Sequence, residues 1–122
     1  MIKYFSLLAF CASLFGAELQ PLPYALVVQE IGKGKPVMVE AGSIYCHTCK
    51  EMGELLYHEM KLNPEHKIYF VDVSDERDAA RAMKIQLIPT QVFYDATGKE
   101  IGRHIGGLTT DELKQLLAKY KI

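Results

Sequence analysis

Pro36-Val37-Met38-Val39-Glu40-Ala41-Gly42-Ser43-Ile44-Tyr45-Cys46-His47-Thr48-Cys49-Lys50 opens as a short apolar run and closes on a Cys-x-x-Cys pair. Val37–Ala41 follows a proline and stops at Gly42-Ser43, the pattern of a buried β-strand. Beyond the pair, Met52, Leu55, Leu56 and Met60 share one face of a helix predicted over His47–Leu62, ended by Asn63-Pro64. The cysteines therefore stand where a strand passes into the first turn of a helix. Residues three apart on such a turn are neighbours, so the two sulfurs can meet. Cys46 takes the helix N-terminus, where unpaired N–H groups and the helix dipole favour an anion. This casts Cys46 as an exposed thiolate nucleophile and Cys49, one turn in, as the sulfur that resolves a mixed disulfide.

Three neighbouring features bear on that chemistry. Glu40 is a carboxylate inside an otherwise apolar strand, six residues before Cys46. Buried and unpaired, it would be costly and its pKa would rise, which suits a group that holds and releases a proton for Cys49. The alternative is a Glu40 that faces a wet edge of the sheet. His47 can place positive charge beside Cys46 or stand as a plain solvent-facing residue, and Thr48 reads as a small neutral spacer. Ile88-Pro89-Thr90 precedes an apolar strand. Its X-Pro bond is a candidate cis peptide, which would turn the Ile88 backbone outward for an extended segment to pair with.

The chain has 122 residues, is about half hydrophobic and carries a formal charge of −1. That suits a single domain with a core of its own. The charge argues against a nucleic-acid partner, which would call for a basic face. Residues 1–17 have Lys3, an apolar run from Tyr4 to Phe15 and small residues at Gly16-Ala17. This is the anatomy of a signal peptide, or of an uncleaved anchor. Leu8-Ala9-Phe10-Cys11 resembles a lipobox, but Phe10 is bulky where a small residue is expected. Residues 18–122 form the expected domain, with a charge near −2 once Lys3 is removed. The third cysteine, Cys11, falls in the N-terminal segment, so the mature thiols reduce to one pair in an exported, disulfide-permissive setting.

Along the remainder, Tyr24–Ile31 reads as a helix, Lys67–Val73 as a strand, and Ser74 or Asp75 as the cap of a helix through Met83. Gln91–Asp95 and Glu100–Ile105 read as strands joined by the turn Asp95-Ala96-Thr97-Gly98. Thr109-x-x-Glu112 is a capping-box pattern before a last helix that buries Leu113, Leu116, Leu117 and Tyr120. The order α-β-α-β-α-β-β-α predicts an α/β sandwich with a mixed sheet. Met38, Met52, Met60 and Met83 read as packing residues, and Asp75–Arg81 as a solvated helix face. His66 and His104 read as surface residues.

Residues 36–50, Ile88-Pro89-Thr90 and Gly106-Gly107-Leu108-Thr109 together resemble the thioredoxin superfamily across residues 24–120. The resemblance implies a three-layer sandwich, a mixed central sheet flanked by helices. It implies Cys46 as nucleophile, Cys49 as resolver, Glu40 as buried acid and Pro89 as the cis-proline. The substrate groove would include Tyr45, His47, Thr48, Ile88, Pro89 and Gly106. Gly34-Lys35-Pro36-Val37-Met38 and Cys49-Lys50-Glu51-Met52 look most like exported reductases, closest to the periplasmic reductase domain of Dsb-type proteins. Such a protein acts as a monomer without cofactor or metal. It reduces disulfides in client proteins and draws electrons from a membrane donor. Tyr45 stands where the family usually has tryptophan. His47-Thr48 is neither the Gly-Pro of thioredoxins nor the Pro-His of the strong oxidant. Ile88 before the proline and the buried acid favour reduction. The rivals are an oxidase or isomerase using the same pair, a redox-inactive binding module that kept the fold, and a copper or zinc site built from Cys46, Cys49 and His47 with His58, His66 or His104. A lone Cys-x-x-Cys supplies only half a zinc site.

Overall fold

The computed structural model describes residues 17–122. All of the segment read as a signal peptide except Ala17 lies outside them. The elements are α1 (Tyr24–Glu30), β1 (Val37–Gly42), α2 (His47–Leu62), β2 (Ile68–Asp72), α3 (Arg77–Ala82), β3 (Thr90–Tyr94), β4 (Glu100–Ile105) and α4 (Thr110–Lys119). The sheet runs β2-β1-β3-β4. β1 pairs parallel with β2, and β3 runs antiparallel to both β1 and β4.

Strand alternation sends successive side chains to opposite faces, and each face has its own core. Val37, Val39 and Ala41 of β1 pack with Val71, with Val27 of α1, and with Ala79 of α3 and Met83. Met38, Ile68 and Phe93 pack with Met52 and Leu56 of α2 and Leu113 and Leu117 of α4. The result is a three-layer α/β sandwich with a mixed sheet. Leu116 and Tyr120 are only half-buried. Tyr120 stacks on Phe93 at 4.3 Å between centroids.

Helix ends follow local chemistry. Thr109 and Glu112 form a reciprocal capping box at α4. Asp95 Oδ1 accepts from the N–H groups of Thr97 and Lys99, and Gly98 takes φ +92°, which closes the β3–β4 turn. Cys46 caps α2, and its sulfur accepts from the Cys49 N–H at 3.3 Å.

Several expectations are corrected. Neither Ser74 nor Asp75 caps α3; Glu76 holds that position without a side-chain cap. The Asp72 carboxylate instead gathers the Ser74 and Asp75 N–H groups and the Ser74 hydroxyl. α1 ends at Glu30, and Ile31, expected inside it, is its extended C-cap. Gly42 belongs to β1 rather than bounding it. His66 and His104 are half-buried. His66 Nδ1 lies 3.1 Å from Oε1 of buried Glu59, which also accepts from Asn63 Nδ2 at 2.8 Å.

The lead-in is a structural element in its own right. Leu19 N donates to Gly53 O at 2.9 Å, and Leu22 N donates to Phe70 O at 2.9 Å. Pro21 pairs with Phe70 in a single parallel bridge, so the lead-in runs along the outer side of β2. Among the described residues no helix is long and apolar enough to cross a membrane.

Candidate active site

The loop between β1 and α2 is held from below by an acid. Asp72, at the end of β2, accepts from Ile44 N at 3.4 Å. Ser74 shares a hydroxyl contact of 2.9 Å with Ser43, and Ser43 Oγ accepts from Tyr45 N at 3.1 Å. Burial alone would raise the Asp72 carboxyl. The Ser74 hydroxyl and the N–H groups of Asp75, Ile44 and Ser74 outweigh it and hold the group below the usual carboxylate range. The approach to Cys46 is thus fixed from the neighbouring strand.

Cys46 and Cys49 are free thiols; Cys46 is half-buried rather than exposed as expected, and Cys49 is buried. Burial pushes the Cys49 thiol up to about 12; the hydrogen bond to Cys46 and the negative charge of Cys46 and Glu40 add to the rise, and a backbone bond at Ser43 opposes it. Gly42 stands opposite: a Cβ there would lie 3.1 Å from Cys49 Sγ. Leu19, Pro21, Ser43, Gly53 and Phe70 border a cavity of about 180 Å³ on the far flank of Cys49.

Glu40 is 2 % exposed, so it does not face a wet edge. Gln91 Nε2 donates to both of its oxygens, at 3.1 and 3.2 Å. Burial pushes the Glu40 carboxyl up to about 8 against the opposing pull of that bond. Glu40 and Gln91 are register partners across β1 and β3, and Gln91 and His104 are partners across β3 and β4. The three form one row across the sheet.

The Ile88–Pro89 bond is cis. Pro89 O accepts from Gly106 N at 2.8 Å, and Gly106 has φ +105°, a conformation glycine adopts without steric cost. A Cβ on Gly107 would come 3.0 Å from the Thr48 methyl, so the glycine turn lies against the first turn of α2. Leu108 N lies 3.2 Å from the sulfur of Met52, on the same helix. Cys46, Thr48, Gly106 and Pro89 are thereby brought to one end of the sheet. Tyr45 is 87 % exposed and Ile88 39 %. Ile44, Leu87 and Ile105, which sequence reasoning passed over, also leave large apolar side chains in solvent around them. His47 turns to Glu51, 3.0 Å away, in an exposed pair that contributes little to stability.

Sequence reasoning also missed Asp72, Gln91 and His104. The available signal was Gln91, a polar residue in the apolar strand Thr-Gln-Val-Phe-Tyr, matching Glu40 in its own strand. Among the described residues no three His, Cys, Asp or Glu side chains stand close enough to hold a metal ion.

Comparison with known proteins agrees with this geometry. The family model described as a thioredoxin-like domain matches residues 26–121. A thioredoxin of Geodia cydonium is 29 % identical over 87 residues, 71 % of this chain and 81 % of the relative. One from Mycoplasmoides gallisepticum is 28 % identical over 89 residues, 73 % of this chain and 88 % of the relative. The X-ray structure of Fasciola hepatica thioredoxin superposes with a TM-score of 0.69 at 25 % identity, covering 80 % of this chain and 90 % of that one. With the matching model spanning most of its length and the fold the same, the chain belongs to the thioredoxin-like family.

Proposed function

We propose that this thioredoxin-like thiol–disulfide oxidoreductase works as an exported reductase of client-protein disulfides. Cys46, as thiolate, attacks one sulfur of the client disulfide. A Cys46–client disulfide forms, and the client's second sulfur leaves as a thiolate that takes up a proton. Cys49 then gives its proton to an ionised Glu40 and attacks Cys46 Sγ. The Cys46–Cys49 bond forms as the client's remaining sulfur departs. That sulfur takes up the proton held by Glu40, and the first client thiolate takes one from solvent in place of the one Cys46 released on ionising; two electrons and two protons have then passed to the client, and a membrane donor would restore the dithiol.

The observation that carries this reading is the placement of Glu40, which shares one face of β1 with Gly42, where a Cβ would lie 3.1 Å from Cys49 Sγ. A thiol pushed to about 12 must lose its proton to attack, and Glu40, pushed up to about 8, accepts it in its ionised fraction, which grows as the pH approaches 8. Ile44, Tyr45, Leu87, Ile88 and Ile105 supply an apolar rim against which an extended client segment could lie, with Pro89 and Gly106 at its floor. The signal-like residues 1–17 support a periplasmic or otherwise exported location.

The test has two parts. Cys49→Ala should freeze mixed disulfides through Cys46. Equal trapping by Cys46→Ala would reverse the assigned roles. Equilibration with glutathione should give a potential between roughly −180 and −270 mV. A value near about −120 mV would make the protein an oxidase instead.

A further inference from the structure

Gln91 is fully buried, and each end of its amide is engaged. Its Nε2 faces three acceptors, the two oxygens of Glu40 and Gly106 O at 3.1 Å. Its Oε1 lies 2.7 Å from His104 Nδ1. An amide nitrogen only donates and an amide oxygen only accepts. With the amide this way round, His104 must carry its proton on Nδ1. Turned over, the amide would set its oxygen against Gly106 O and would ask His104 Nδ1 to accept.

We propose that His104 is a positioning residue for Glu40: by donating from Nδ1 it holds the Gln91 amide with its NH2 group inward, where it supports the Glu40 carboxylate and cannot accept the Glu40 proton. The Glu40 carboxylate supported in this way is the form that can take the proton of Cys49. The inference rests on the reading of Glu40 as the acid–base partner of Cys49. Glu40 shares its face of β1 with Gly42, against which Cys49 of α2 packs, a Cβ on Gly42 standing 3.1 Å from Cys49 Sγ. Glu112, in the first turn of α4, lies near enough to His104 to feel its charge. A protonated imidazole also donates from Nδ1, so the arrangement does not depend on the charge of His104. Phe70, the partner of Glu40 on β2, brings no charge.

The experiment follows the Glu40 carboxyl by carbon-13 NMR in the Cys46–Cys49 disulfide form, where no thiol titrates. His104→Ala should move the Glu40 midpoint up by about half to one pH unit, part of the worth of a hydrogen bond to a charged group. His104→Asn, whose amide can donate from nearly the Nδ1 position, should restore it. An unmoved midpoint in His104→Ala, or a His104→Asn midpoint displaced as far, would overturn the proposal. Nitrogen-15 NMR of the unaltered protein tests it without a variant. Neutral His104 should be the Nδ1–H tautomer, and the Nε2–H tautomer would overturn the proposal. A displaced midpoint in a protein that reduces no disulfide would sink the reductase reading and leave this one standing; reductase activity with an unmoved midpoint would do the reverse.

Discussion

Gly42 and Cys49 face each other so closely that a Cβ on the glycine would stand 3.1 Å from the cysteine sulfur and 3.3 Å from its Cβ. Phe70 closes the same space at 3.3 Å. In Gly42→Ala the sulfur must give way by a few tenths of an ångström. Overpacking of this kind costs about 1–2 kcal/mol. The displaced sulfur should also resolve a mixed disulfide about threefold more slowly or worse, since attack geometry is exacting. Stopped-flow lifetimes of a mixed disulfide would measure it. Unchanged lifetimes would mean that Cys49 shifts freely.

Glu40→Gln should make the protein more stable at alkaline pH. The native carboxyl keeps its proton to about pH 8, whereas the unfolded one, at 4.5, releases it earlier. The native state therefore binds more protons between those values. Its contribution is complete below pH 4.5 and is lost as the pH rises toward 8. The loss is at most about 1.4 kcal/mol per pH unit. The variant lacks this slope. Its melting temperature should exceed that of the unaltered protein at pH 8, with the difference shrinking toward acid. Parallel pH–stability curves would contradict the assignment. The same variant should slow the Cys49 step.

Asp72→Ala leaves the Ile44, Ser74 and Asp75 N–H groups and the Ser74 hydroxyl without their acceptor. The expected loss is about 2–4 kcal/mol. Because the native carboxyl is held below its usual value, its stabilisation is present above the unfolded pKa and fades as the pH falls through the native one. Urea midpoints of the two proteins should converge in acid. A constant gap would assign the loss to packing alone.

Gly102→Ala tests the far end of the sheet. A Cβ there would collide with the Tyr120 ring, which stacks on Phe93. Expelling that ring should cost about 1–3 kcal/mol and leave the redox potential unchanged. A shifted potential would mean the C-terminal end of α4 communicates with the cysteines.

How much was legible in the sequence follows from how local each cause is. α2 and β4 run over the residues expected, His47–Leu62 and Glu100–Ile105. α2 starts and stops on adjacent residues: Cys46 caps its start, and Asn63 N bonds Glu59 O at its end. The Thr109–Glu112 box was readable for the same reason. The start of α3 was not, because Asp72, upstream on a strand, takes up the N–H groups of Ser74 and Asp75 and the Ser74 hydroxyl, and so ties the expected caps into the turn that precedes the helix. Nor was the Glu40–Gln91–His104 row, which exists only once β1, β3 and β4 are in register. Glu40 announced itself by polarity alone, but its partners lie 51 and 64 residues away in the chain. Glu59 broke the apolar stripe of α2 and went unread, since His66 and Asn63 reach it only after the helix has ended.

A sheet has two rims, and an unguarded rim invites a foreign chain to zip on as an extra strand. Here the Leu19–Leu22 strap occupies part of the β2 rim with one bridge and a backbone bond to Phe70. Anything unfolded that visits this protein finds that side partly taken.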